Sequence, residues 1–170
     1  MTFNLPSQSA AGRATSPPAG QRAALLDSAR RLKAAAVAGS LPRPLEGKNI
    51  GFVSESDESP EAALFIEAAR LIGARVARVR PSVALPTDDQ NARQTLHLLG
   101  RLYDAIECQG LPAAQVEQIR RHAGVPVFDG LASPGHPSAG LAHALGGSGA
   151  DMLNRRCVIQ AALISAVAGA

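Results

Sequence analysis

With 170 residues, the chain is long enough for one domain with a real core and short for two. Its 46% hydrophobic and 18% charged residues fit an alanine-rich globular protein and exclude a disordered one. Aromatics at 3% supply too few rings to stack single-stranded nucleic acid. The net charge of +3 comes from scattered arginines, so no nucleic-acid partner is expected.

Residues 1–20 contain no acid and are rich in Ser, Ala and Pro, which predicts a disordered arm. They hold no secretory apolar core. The longest apolar run, near Val158–Ala168, is too short to span a bilayer, so no membrane partner is expected and the cytoplasm is the expected location. Leu25, Leu26, Ala29, Leu32 and Ala36 recur at helical spacing and predict a first helix over Gln21–Ala38, stopped by Gly39. "SLPRPLEG" then breaks the chain before a short apolar strand, "KNIGFV".

The next stretch, "SESDESPEAALF", joins that strand to a second helix and carries Glu55, Asp57, Glu58 and Glu61 with no basic residue. In α/β proteins a strand-to-helix junction is where backbone amides commonly hold an anion. Ser59 is a suitable N-cap, Pro60 fits the first helical position, and Glu61 sits in the first turn. Two readings follow: a helix start that satisfies itself, which these residues favour, or a new site for a cation or amine.

"ARVARV" predicts a second strand ending at Pro81. Thr87 and Gln90 form a candidate capping box for a third helix running to about Leu99. "YDAIEC" predicts a third strand, "AAQVEQIRRHA" a helix and "VPVF" a fourth strand. The loop "DGLASPGHPSAG" carries His136 and leads to a short helix around Leu141. "GGSG", residues 146–149, reads as a hinge before a last helix over Asp151–Val167. Cys108 and Cys157 form no CxxC and read as buried thiols rather than a disulfide. No GxGxxG, P-loop or metal-ligand spacing occurs, so no cofactor and no metal are expected.

Alternating strands and helices predict a single α/β domain: a four-stranded parallel sheet with helices on both faces. Ligands of such sheets lie beyond the carboxyl ends of the strands. That draws attention to the acidic junction, to "CQG" at 108–110, and to the loop around His136.

"LEGKNIGFV", "FIEAARLIGARV", "LGRLYDAIECQG" and "AGVPVFDGL…HP" resemble, in order and spacing, the carbamoyl-phosphate domain of the ornithine carbamoyltransferase family. The resemblance covers roughly Leu25–Leu145. "NRRCVIQAALISAV" is similar to the family's last helix, which returns from the second domain to pack on the first. It implies an arm over 1–20, a carbamoyl-phosphate-domain-like unit over 21–145, a glycine-rich join over 146–150 in place of the second domain, and a returning helix over 151–170.

The family's phosphate clamp, Ser-Thr-Arg-Thr-Arg, falls on Glu58, Ser59, Pro60, Glu61 and Ala62, so both arginines are replaced. The arginine after the third strand falls on Gln109. The His-Pro-Thr-Gln run falls on His136, Pro137, Ser138 and Ala139, and the arginine of the last helix on Arg155. A basic residue lent by a neighbouring subunit falls near Asp88 or Asp89. By its own context His136 reads as a turn residue, Arg155 equally as a solvated helix residue or a ligand, and Tyr103 and Asp104 as packing and strand-end residues.

The resemblance implies a non-catalytic binding or assembly module, with no confident catalytic residue. It implies a homotrimer, because in the family this domain makes the threefold contacts. Two rivals stand beside that reading. One is residual carbamoyltransferase activity, or binding of carbamoyl phosphate or another anionic ligand, in amino-acid (arginine) metabolism, with a full-length transcarbamoylase as a partner that completes the site. The other is a remodelled pocket of Glu58, Gln109, His136 and Arg155 for a cationic or zwitterionic small molecule.

Overall fold

The computed structural model describes residues 19–56, 58–85, 89–147 and 151–168. The arm expected over 1–20 lies almost wholly outside these residues. So do Asp57, Thr87 of the expected capping box, Asp88, and residues 148–150 of the join. The side chain of Asp89 is also outside what is described.

Four parallel strands form the sheet: β1 (Asn49–Ser54), β2 (Arg75–Val79), β3 (Ala105–Gln109) and β4 (Val127–Asp129), in the order β2-β1-β3-β4. Side chains alternate across it, as the pleat requires. Ile50, Phe52 and Ala105 face one helical layer, while Val53, Ile106 and Cys108 face the other. The first layer is α2 (Pro60–Leu71) and α7 (Asp151–Val167), which bring Leu64, Phe65, Ala68, Ile159 and Leu163 to the core. The second is α4 (Asp89–Leu102) and α5 (Ala113–Ala123), with Leu96, Val116 and Ile119 inward. Outside the first layer, α1 (Ala19–Val37) and α6 (Ala139–His143) pack on α7 through Ala29, Leu32, Leu141 and Ala161.

The element boundaries that shift from expectation do so for local reasons. Helix α4 continues past Leu99 to Leu102, and the Tyr103 amide still bonds the Leu99 carbonyl at 2.9 Å, so the strand begins at Ala105 rather than Tyr103. Pro126 has no N–H to donate, and β4 starts only at Val127. A short helix, α3 (Pro81–Ala84), follows β2 where the sequence offered only a strand end; Pro81 stands at its first position.

Two close approaches set the strand ends. A Cβ on Gly51 would lie 2.8 Å from the Tyr103 ring, and one on Gly100 would lie 1.6 Å from the Ala123 carbonyl oxygen, so both positions need glycine. Asp104 clips β1 to β3: its carboxylate accepts from the Asn49 amide at 2.8 Å and from Lys48 Nζ at 3.0 Å. Burial alone would raise its pKa, but these donors outweigh it and hold it below the usual value. Lys33 of α1 donates to the Gly146 carbonyl at 2.7 Å, and Asn154 of α7 donates to the same oxygen at 3.1 Å. Together they tie α1 and α7 to the chain just beyond α6.

Glu107, in the middle of β3, is fully buried. Its Oε1 accepts from the Leu131 amide at 2.9 Å, while Oε2 has no hydrogen-bond partner among the described residues. Burial pushes its pKa well above the usual carboxylate value; the amides of Leu131 and Gly130 pull the other way, and nearby Asp129 adds to the rise. The folded protein therefore keeps this proton at a pH where the unfolded chain, titrating near about 4.3, has released it. Stability is fully present below that value and falls as pH rises toward the raised folded pKa. In denaturant melts at a series of pH values from about 4 to about 7, the wild type is expected to lose stability relative to Glu107→Gln, which is neutral throughout. Parallel pH profiles for the two proteins would contradict this.

Candidate functional site

In the order β2-β1-β3-β4 the chain leaves the carboxyl end of β1 toward β2 and that of β3 toward β4, in opposite directions. The crevice that opens there is where α/β sheets hold ligands. Ser54 and Gln109 lie in register on the two strands at this edge. The acidic junction therefore starts at the mouth of the crevice.

The junction is hydrogen-bonded to itself. Ser54 Oγ donates to the Ser56 carbonyl at 2.5 Å and accepts from the Ser56 amide at 3.3 Å. Ser56 Oγ accepts from the Glu58 amide at 3.3 Å. Ser59, with extended backbone, caps α2: its Oγ accepts from the Ala62 amide at 3.0 Å and its carbonyl from the Ala63 amide at 3.1 Å. Pro60 has no N–H. Of the first four residues of the helix, at most Glu61 keeps an amide for a ligand. Glu58 is exposed and Glu61 half-buried, so each brings a negative charge to the helix start. Ala62, onto which the family's second clamp arginine falls, is fully buried in the core beneath α2.

Across the crevice, Gln109 Nε2 donates to Ser133 Oγ at 3.0 Å, while its Oε1 is buried with no hydrogen-bond partner among the described residues. Arg155 of α7 donates to the Ala132 carbonyl. With Glu107 on Leu131 and the Cys108 carbonyl accepting from the Gly130 amide at 2.8 Å, these contacts hold loop 130–139 from the sheet and from α7. Gln109 and Arg155 thus serve this loop. Cys108 behind it is buried, and burial, then the neighbouring Glu107 and Asp129, push its thiol up to about 12, far from a nucleophile's range.

His136 stands on the same loop and faces elsewhere. The Ser138 amide donates to its Nδ1 at 3.2 Å, and Ser138 Oγ lies 2.7 Å from the same nitrogen. An amide can only donate, so Nδ1 is the acceptor and the neutral ring carries its proton on Nε2. Burial lowers the pKa of the ring, with Asp129 opposing, so it is uncharged at neutral pH. The ring lines a cleft of about 460 Å³ between α1, α7 and β4, and among the described residues neither 58–62 nor Gln109 nor Arg155 belongs to its wall.

The eight residues singled out from the sequence therefore separate into three settings: a capped helix start (Glu58, Ser59, Pro60, Glu61, Ala62), a loop anchor (Gln109, Arg155) and a cleft wall (His136). Glu107 and Ser133 were missed. The available signal was a lone carboxylate between Ile106 and Cys108 in an otherwise apolar strand, which can be tolerated there only with a polar partner. Among the described residues no group of three or more His, Cys, Asp and Glu side chains is placed to hold a metal ion, and no helix is long and apolar enough to cross a membrane.

No protein-family model matches the chain. Individual proteins do. It is 38% identical over 121 residues to the ornithine carbamoyltransferase of Actinobacillus pleuropneumoniae serotype 5b (strain L20), a match covering 71% of this chain and 36% of that protein. It is 40% identical over 118 residues to the catabolic ornithine carbamoyltransferase of Burkholderia mallei (strain ATCC 23344), covering 69% and 35%. Among solved structures, the ornithine carbamoyltransferase from Pyrococcus furiosus superposes with a TM-score of 0.63 at 24% identity, over 74% of this chain and 40% of that one, which speaks for the fold alone. The chain spans a little over a third of the length of the curated relatives it matches. By sequence and fold, then, it is similar to the ornithine carbamoyltransferases over a single α/β unit that corresponds to part of their length.

Proposed function

We propose that this chain is a carbamoyltransferase-derived module that no longer binds carbamoyl phosphate and acts through assembly rather than catalysis. The observation that carries this reading is the junction between β1 and α2, where Ser54, Ser56 and Ser59 take the amides of Ser56, Glu58, Ala62 and Ala63 and Pro60 has none, leaving Glu61 as the one residue in the first four of the helix with an amide for an anion. Carbamoyl transfer requires a phosphate held by bidentate cations, with donors on the carbamoyl oxygen as charge develops there. Here Pro60 and Ala62 stand in place of those cations, and Glu58 and Glu61 add negative charge beside them. A carboxylate about 4 Å from one phosphate charge costs roughly 1 kcal/mol in water and roughly 4 kcal/mol at an effective dielectric near 20. Each lost arginine removes about 1.5–3 kcal/mol of charge-assisted bonding. Arg155 and Gln109, occupied with loop 130–139, do not offset these terms.

Carbamoyl phosphate and inorganic phosphate, at millimolar concentration, are therefore expected to leave the melting temperature unchanged. A ligand at a hundredfold excess over its dissociation constant would add about 2.7 kcal/mol, an easily measured shift. The triple variant Glu58→Ser, Pro60→Arg, Glu61→Thr restores one clamp cation, removes both acids and keeps the Ser59 cap; it is expected to gain phosphate-dependent stabilisation. Ala62→Arg is left out because it would force a cation into the core. Tight binding of carbamoyl phosphate by the wild type would overturn the proposal in favour of a residual enzyme.

An assembly role is supported by exposed apolar side chains that the fold leaves uncovered. Leu98 and Leu102 lie one turn apart on α4 and are 57% and 62% exposed, and Val83 on nearby α3 is 52% exposed. The family resemblance points to a closed ring of three copies, which would bury such side chains without leaving a free end. Light scattering is expected to give three times the chain mass at micromolar concentration, and Leu98→Glu with Leu102→Glu is expected to yield a folded monomer. A monomeric wild type would contradict this part of the proposal.

A further inference from the structure

The cleft that His136 lines is unrelated to the crevice at the strand ends, and its chemistry is different. It lies where the amino-terminal half of α1 and the carboxyl-terminal half of α7 part beside β4, one of the two edge strands of the sheet. Its volume of about 460 Å³ falls within the range of small-molecule sites, roughly 300–1,000 Å³. Leu25, Phe128, Leu131 and Ile164 supply apolar walls. Its polar groups, Gln21, Ser28, His136, Ser138 and Ser165, are all uncharged: among the described residues no Asp, Glu, Lys or Arg side chain lines it.

That composition selects by exclusion. An ion entering such a cleft would lose its hydration without a counter-charge, a cost of several kcal/mol, whereas an apolar body gains from burial. One wall is polar in a defined sense. Ser138 occupies His136 Nδ1 as an acceptor, which leaves the ring's Nε2–H as a donor whose orientation is fixed by the Nδ1 contacts. Ser28 and Ser165 add hydroxyls that can accept or donate.

We propose that the α1–α7–β4 cleft is a binding site for a neutral, largely apolar small molecule that presents one hydrogen-bond acceptor, such as a ketone or amide carbonyl, to His136. The site has apolar walls for the body of the ligand and a neutral imidazole donor for its single polar group. It does not depend on the phosphate-binding history of the chain, and it stands whether or not the crevice at the strand ends is silent.

Three probes with one skeleton test the inference on the full chain by amide chemical-shift titration. They are 2-acetylnaphthalene, which carries the acceptor; 2-ethylnaphthalene, which lacks it; and naphthalene-2-carboxylate, which is charged. The ketone is expected to bind most tightly, to shift the amides of Leu25, Phe128, His136 and Ile164, and to exceed the carboxylate by at least about tenfold, equivalent to 1.4 kcal/mol. His136→Phe is expected to weaken the ketone roughly two- to tenfold while leaving 2-ethylnaphthalene unchanged. Ala24→Trp, on the exposed rim, fills the space and is expected to abolish binding of both without loss of folding. Equal affinity for ketone and carboxylate would overturn the proposal, as would shifts confined to other surfaces or no binding of any probe. Binding that emerges only in Phe3→Ser with Leu5→Ser would also overturn it, because the chain's own first residues would then be the occupant.

Discussion

Parallel pairing on both sides of β1 is the constraint from which the rest of this protein follows. A strand bordered on each side by parallel partners must send the chain away from its carboxyl end and bring it back over one face and then the other. The helix that leaves β1 consequently begins at the crevice, and every feature of residues 54–63 is exposed to whatever that crevice is built to hold. Gly51 and Tyr103 on one side, and Asp104 with Lys48 and Asn49 on the other, keep β1 and β3 in register. Without that register Ser54 and Gln109 would not meet at the same edge.

What the crevice offers is set by a competition for amides. The start of a helix supplies a small number of unpaired N–H groups and a partial positive charge, and either the chain or a ligand can take them. In α2 the chain has taken all but the Glu61 amide, through Ser59 and Pro60, and has added its own negative charges. The opposite wall has followed the same course. Gln109, Glu107 and Arg155 point their polar groups at loop 130–139, an arrangement that orders the loop and leaves little for a substrate. A polar residue bound to its own backbone is evidence of structure; only one with an unmet, accessible bond is evidence of a site.

Fold and chemistry were readable from the sequence to different degrees. Strand–helix alternation, Ser59 with Pro60, and the apolar faces of α2 and α5 follow from local periodicity and capping, and they determine the architecture. Leu99–Tyr103 was not readable, because whether α4 ends or continues depends on packing of Gly100 against Ala123 in a different element. Proximity in an inherited motif also misled. Gln109, His136 and Arg155 read as one cluster, yet His136 is turned into the α1–α7–β4 cleft while the other two bind the loop from the sheet side and from α7. Ring direction is set by the contact of Ser138 with Nδ1, two residues away, and no pattern of residue types announces it. Glu107 was overlooked because a single carboxylate in a strand resembles an exposed position until the face it occupies is known.

At the head of α2 only the Glu61 amide is left among the first four residues of the helix, and it stands between carboxylates, so the junction is not expected to hold an anion. Amide chemical shifts on titration with carbamoyl phosphate report on this directly, since a bound phosphate shifts the N–H groups it touches. The Glu61 and Ala62 amides and the Gln109 side-chain amide are expected to stay in place through millimolar ligand, while the same titration of the triple variant carrying Glu58→Ser, Pro60→Arg and Glu61→Thr moves the amides of residues 61 and 62. A saturating shift of Glu61 and Ala62 in the wild type would contradict the account.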